Sequence, residues 1–198
     1  MNCNAIAIIP CKMDSKRLRN KNLSVVGNKT LLEWSILYAQ QSKYVSKIVV
    51  STESDKVKSI INNYPGVHIH DRPLYLLGDA DTVDVYVNVM NSFDESGITH
   101  FNEVSITHVV GLQPDNPDRT KSLDEILKYF IDKKYDDLVT VGTDGTRNGS
   151  VRVVKSEFVL KDNVSRRVGT ILDDCTNIHT KNDLKIVDKR MNPYGRII

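Results

Sequence analysis

Apolar and polar positions alternate along this chain in two different periods. Ala5–Pro10 (AIAIIP) is nearly continuous in apolar residues, which predicts a strand covered on both faces. Asn28–Gln41 follows a helical period, with Leu32, Ile36 and Ala39 on one stripe. Lys47–Thr52 (KIVVST) predicts a second strand, and Thr52 is placed to cap a helix carrying Val57, Ile60, Ile61 and Tyr64. His68 and His70 alternate on a further strand, read as a surface strand. Asp79–Asp94 sets Val83, Tyr86, Val87 and Met90 at helical spacing, and Ser105–Pro114 predicts a third long strand. Ser122 and Glu125 form a capping box ahead of the stripe Leu123, Ile126, Leu127, Phe130 and Ile131. Asp137–Gly142 reads as a fourth strand. Beyond Gly142 the pattern loosens into a turn, a short strand at Ser150–Val154, and a late helix from Lys181.

Strands alternating with helices predict an α/β sandwich with a mostly parallel sheet. No repeat or linker interrupts it, so residues 1–198 are expected to form a single domain. In such sheets ligands bind at the carboxyl ends of the strands. The loop leaving the first strand is therefore informative. It sets Lys12, Lys16, Arg17, Arg19 and Lys21 within ten positions, in a chain of 27 Lys+Arg against 25 Asp+Glu. Net charge of +2 argues against general affinity for nucleic acid or anionic membrane. A local basic loop fits a small anionic ligand, or else a solvated charge run. With no glycine between Ile8 and Val26, any anion would be held by side chains rather than by a glycine-rich backbone cradle.

The three cysteines, Cys3, Cys11 and Cys175, form no CxxC pair and suit a reducing cytosol. The apolar stretch near the N-terminus is short for a signal sequence, and no run has the length of a membrane span. The expectation is a cytoplasmic protein.

The order of residues in the loop adds more. IIPCKMDSKRLRNKNL resembles the IIPARxGSKRxxxKN signature of the acylneuraminate (CMP-sialic acid) cytidylyltransferases, within the wider sugar nucleotidyltransferase superfamily. The likeness continues in order through GNKTLLEWSI, IVVSTESDKV, RPLYLLGDADT, LQPDNPDRT, NGSVRV and NIHTKNDL. It implies a Rossmann-like three-layer nucleotidyltransferase fold. It also implies transfer of CMP from CTP to an acidic 3-deoxy sugar, with loss of pyrophosphate.

Carried over residue by residue, the resemblance implies nucleotide contacts for Lys12, Ser15, Lys16, Arg17, Lys21, Asn22, Arg72, Thr82 and Gln113, with Lys12 and Lys21 acting on the reacting phosphates. Lys12 replaces the family's arginine and Asp14 its glycine. A divalent cation, Mg²⁺ or Mn²⁺, is implied as well. The family's late pair of carboxylates reads Asn177-Ile178-His179 here, but LQPDNP resembles the QGDEP of the related KDO cytidylyltransferases, whose aspartate is a metal ligand. That resemblance implies Asp115 as the first candidate ligand, with His179 and Asp174 beside it.

The resemblance is weakest after residue 142, where a short turn replaces the long segment that serves acceptor binding and dimerisation in the family. An anionic acceptor is assigned instead to Arg147, Arg166 and Arg167, since arginines pair bidentately with carboxylates and phosphates. A homodimer is implied by resemblance only. Two alternatives stand beside this reading. One is a related nucleotidyltransferase using GTP, or a phosphonate or sugar phosphate acceptor. The other is a degenerate member that binds nucleotide without turnover.

Overall fold

A computed structural model describes residues 3–13, 15, 18–95, 100–101, 104–160 and 164–192. Asp14, Lys16 and Arg17 lie outside the described residues. In chain order the strands are β1 (Ala5–Pro10), β2 (Val25–Val26), β3 (Lys29–Thr30), β4 (Val45–Thr52), β5 (Val67–Asp71), β6 (His100–Phe101), β7 (Val104–Ser105), β8 (His108–Leu112), β9 (Asp137–Val141), β10 (Arg147–Lys155) and β11 (Val168–Leu172). The helices are α1 (Leu31–Gln40), α2 (Asp55–Ile61), α3 (Thr82–Glu95), α4 (Leu123–Asp132), α5 (Ser156–Leu160) and α6 (Lys181–Met191).

Seven strands form one sheet in the order β11-β9-β10-β8-β1-β4-β5. All pairs are parallel except those of β10, which runs antiparallel between β8 and β9. The expected α/β architecture with a mostly parallel sheet is therefore present. β8 lies at its centre with β1 beside it, and alternate residues of β1 enter opposite layers. Ala5, Ala7 and Ile9 pack with Leu32 and Ile36 of α1, Val57 of α2 and Ile126, Leu127 and Phe130 of α4. Ile6 and Ile8 pack with Val85, Tyr86, Val89 and Met90 of α3 and Val159 of α5. Each Leu, Ile or Val side chain among these contributes about 2 kcal/mol on burial.

α3 approaches the sheet closely at Gly111. A Cβ there would lie 1.9 Å from the Tyr86 hydroxyl oxygen, so this strand position admits no side chain. A third, smaller cluster joins Val26, Leu31, Ile178 and Val187. It fastens α6 to the β2–β3 hairpin and fixes the segment that precedes the helix.

Several boundaries differ from the pattern. The first helix begins at Leu31 rather than Asn28, because residues 25–30 form a hairpin and Thr30 closes a capping box with Glu33. Thr52 ends β4 and pairs with Asp71, while Ser54 occupies the helix N-cap. The third strand is confined to His108–Leu112, since Val104–Ser105 pair with His100–Phe101 instead. The short strand expected at Ser150–Val154 runs over Arg147–Lys155. The surface reading of the histidine strand fails at His70, which is buried.

Candidate functional site

β1 and β8 are parallel neighbours, and both end at one edge of the sheet. The loops that leave them enclose a cavity of about 360 Å³. Lys12, Ser15, Lys21, Asn22, Arg72, Thr82, Gln113, Asp115 and His179, all named from sequence, line it together. They come from segments as far apart as residues 12 and 179, which the topology alone brings to one place.

The local reasons are specific. The Cys11 amide donates to the Ser51 carbonyl at 2.9 Å, which ties the start of the basic loop to β4. Met13 N donates to Glu53 Oε1 at 2.8 Å. Asn22 is buried and donates from Nδ2 to the Lys12 carbonyl at 3.0 Å, so it braces the loop from within. Lys12 Nζ donates to the Gly78 carbonyl across the cavity mouth. Lys21 Nζ forms an ion pair with Asp115 Oδ2 and donates to the Ile178 carbonyl at 3.1 Å.

The opposite wall is held by buried polar groups. Arg119 stacks over the Tyr38 ring with 4.8 Å to its centroid and donates to the carbonyls of Gln113 (2.6 Å) and Ser150 (3.2 Å). Burial lowers the Arg119 pKa from its ordinary value. Gly149, at φ +71°, brings the start of β10 against the Gln113 amide, where a Cβ would meet Nε2 at 3.0 Å. Ile178 is fully buried and its amide donates to the Asp115 carbonyl at 2.9 Å. Asn177 and His179 flank it on the cavity wall.

Two buried oxygens on this wall, Asp115 Oδ1 and Asn177 Oδ1, have no hydrogen-bond partner among the described residues. Such atoms are costly unless something satisfies them. Oxygen donors of this kind, one carboxylate and one amide, suit a hard divalent cation that keeps waters and phosphate oxygens as its remaining ligands. The residues therefore fit such a cation. Among the described residues no three His, Cys, Asp or Glu side chains gather as a complete metal set. The cysteines are free, and burial pushes Cys11 up to about 12 and Cys3 and Cys175 each up to about 11, so they stay protonated.

Other sequence-named residues are placed elsewhere. Asp174 is exposed, 3.8 Å from Arg190, and does not line the cavity. Its neighbour Asp173 is fully buried and occupied, accepting from Thr120 N and Oγ1 at 2.8 Å and from Ser150 Oγ at 3.1 Å. Arg166 and Arg167 precede β11, which is parallel to β9 and hence to β1. They sit at the amino end of that strand, opposite the cavity, with their amides donating to Asp136 Oδ2 at 3.3 and 3.1 Å. The geometry does not bring this pair to the cavity. Arg147 pairs with Val141 at the end of β9, on the cavity's side of the sheet, but does not line the cavity.

Sequence reasoning passed over Asn177, counted there as a lost carboxylate. An unpartnered amide oxygen can serve where a carboxylate oxygen would, and its place beside His179 was the available signal. It also passed over Ser51 and His70, which stand behind Arg72.

The family described as Cytidylyltransferase matches residues 6–192. The chain belongs to the cytidylyltransferase family. It is 31% identical over 144 residues to the N-acylneuraminate cytidylyltransferase of Escherichia coli O18:K1:H7, a match covering 71% of this chain and 32% of that protein. The chain thus spans about a third of that relative's length. A solved structure of CMP:2-keto-3-deoxy-manno-octonic acid synthetase complexed with CTP superposes with a TM-score of 0.69 at 14% identity, over 96% of this chain and 99% of that one. The manganese complex of Rv0371C from Mycobacterium tuberculosis H37Rv superposes at 0.62 and 13% identity, over 96% of this chain and all (100%) of that one. Both structures share the fold. No helix among the described residues is long and apolar enough to cross a membrane.

Proposed function

We propose that this chain is a nucleotidyltransferase that moves CMP from CTP to an acidic 3-deoxy sugar. One observation carries the reading: a single cavity at the carboxyl ends of β1 and β8 holds three cations, Lys12, Lys21 and Arg72, facing Asp115. That arrangement suits a polyphosphate. A hydroxyl oxygen of the acceptor attacks the α-phosphorus in line as its proton passes to water, the bond from the α-phosphorus to the bridging oxygen breaks, and pyrophosphate leaves with the electron pair. Lys12 and Lys21 offset charge that grows on the phosphate oxygens. Asn22 holds the loop that presents them, and Gln113 lines the nucleotide side of the cavity. Ser15 and Thr82 add hydroxyl donors, and Lys16 and Arg17 belong to the same loop in sequence.

Asp115, with Asn177 and His179, would hold Mg²⁺ or Mn²⁺, which neutralises triphosphate charge when bound. Imidazole in place of a carboxylate favours Mn²⁺. Arg147 remains the candidate for the acceptor's anionic group. We read residues 1–198 as one domain whose short β9–β10 hairpin replaces a longer acceptor segment. Three cysteines with no CxxC pair suit a reducing, cytoplasmic setting, and a homodimer is the implied assembly, to be checked by light scattering.

The replacement of two carboxylates by Asn177 and His179 favours a second reading, nucleotide binding without turnover. One experiment separates the two. Pyrophosphate release is measured with CTP, GTP, ATP and UTP against a panel of acidic sugars, sugar phosphates and phosphonates, with Mg²⁺ or Mn²⁺. CTP-selective release with an acidic 3-deoxy sugar supports the proposal. Thermal stabilisation by CTP with no release from any acceptor supports the second reading, and release with GTP alone rejects the assignment of the base.

A further inference from the structure

Behind Arg72 lies a row of buried polar contacts that the reaction does not itself use. Ser51 and His70 are direct partners in the β4–β5 register. Ser51 has no exposed surface, and His70 is 8% exposed. Ser51 Oγ lies 3.0 Å from His70 Nδ1. Arg72 Nε donates to the same Oγ at 3.3 Å, and the Arg72 amide donates to the Thr52 carbonyl at 3.0 Å.

Donor inventory sets the direction of these contacts. A guanidinium only donates, so Ser51 Oγ accepts from Arg72. Ser51 Oγ makes no other hydrogen bond among the described residues, so its one proton goes to His70 Nδ1; accepting there too would leave that buried proton unpartnered. That contact needs a bare Nδ1, hence a neutral ring with its proton on Nε2. Burial holds the His70 pKa below the ordinary histidine value; the Asn88 amide opposes this, Arg72 reinforces it and Asp71 opposes it, with a net fall. A serine beside a histidine suggests a nucleophile, but a hydroxyl with no exposed surface meets no substrate. Ser51 also gives its carbonyl to Cys11, so one residue ties both the basic loop and the arginine to the sheet.

We propose that Ser51 and His70 are positioning residues for Arg72: the neutral imidazole orients the Ser51 hydroxyl, and that hydroxyl orients the guanidinium toward the nucleotide. This rests on reading the cavity as a nucleotide site. Without the relay the guanidinium keeps its charge but loses the contact at Nε that helps fix its direction, which weakens a fork-like donor more than a point charge.

The test has two arms. In the unliganded protein, ¹⁵N NMR is expected to find His70 as the neutral Nε2–H tautomer at pH 7.5, with the Arg72 Nε–H resonance displaced in Ser51→Ala. A protonated Nδ1, or an unmoved Arg72 resonance, overturns the relay whatever the ligand is. In the second arm, CTP affinity is titrated in a double-mutant cycle. Ser51→Ala is expected to weaken binding about fivefold in the wild-type background and less than about twofold in Arg72→Ala. His70→Leu should match Ser51→Ala, while His70→Asn, whose amide oxygen can replace Nδ1 as acceptor, should restore most of the affinity. Equal losses in both backgrounds would assign Ser51 to general stability and reject the proposal. Absence of CTP binding by the wild type, with the tautomer and resonance as expected, would count against the nucleotide reading alone.

Discussion

Lys21 and Asp115, separated by 94 residues, meet as an ion pair that joins the loop after β1 to the loop after β8. Their side chains are 14% and 11% exposed, so water screens the pair poorly. Removing one partner strands the other charge beside an already unpartnered oxygen. Asp115→Asn and Lys21→Met are each expected to cost about 2 kcal/mol in urea unfolding. The double variant should cost less than the sum. Additive losses would mean that the two side chains do not act on each other.

Arg166 and Arg167 stand at the amino end of β11, away from the cavity. Replacing both by alanine is expected to leave kcat and KM for every substrate within about twofold, because nothing at that end of the sheet reaches the reacting groups. A tenfold rise in KM for the acceptor would restore the role expected from sequence.

His108 supplies a pH test of stability. It is buried, with Nδ1 2.7 Å from Thr107 Oγ1 and its ring edge-on to Phe130 at 5.4 Å. Burial, aided by Lys155, lowers its pKa to about 4. The unfolded chain, titrating near 6.5, then binds more protons between those values. The contribution is complete above about pH 6.5, falls as pH drops toward 4, and is absent below. It amounts to roughly 3 kcal/mol at most. Urea unfolding across pH 4–7 should show this slope, and His108→Gln should flatten it. An unchanged slope would assign the effect to other groups.

At Gly111 the Tyr86 side chain of α3 lies where a Cβ would be. Gly111→Ala is expected to destabilise by about 2 kcal/mol, since the Tyr86 ring must shift within a filled layer. Tyr86→Leu should recover part of that loss. A neutral Gly111→Ala substitution would mean that α3 yields easily, which its buried row of Val85, Tyr86, Val89 and Met90 argues against.

The buried strands were legible because both faces are covered: Ala5–Pro10 and the apolar part of β4 have no polar alternation to confuse them. The capping box at Ser122 was equally readable, being local chemistry. β11 was not, because an edge strand with Val168, Thr170 and Leu172 exposed mimics a loop. At the site, the order of residues in the basic loop and in LQPD picked out side chains that do converge. It could not say which end of the sheet Arg166 and Arg167 occupy, because strand direction is a property of topology. Nor did a histidine two residues before Arg72 announce itself as buried, since a period of two is shared by both faces of a strand.

The antiparallel strand β10 leaves one further mark. Its first residues, from Arg147, emerge beside Gln113 at the cavity rim, and residues 142–146 that lead into them are mostly exposed and bonded among themselves. Lengthening that turn adds chain at the end of the sheet where the cavity lies, while the layers below keep every contact. The fold thus separates the part that can vary with the size of a guest from the part that must stay fixed, and a designer seeking a new acceptor would begin by grafting at the rim.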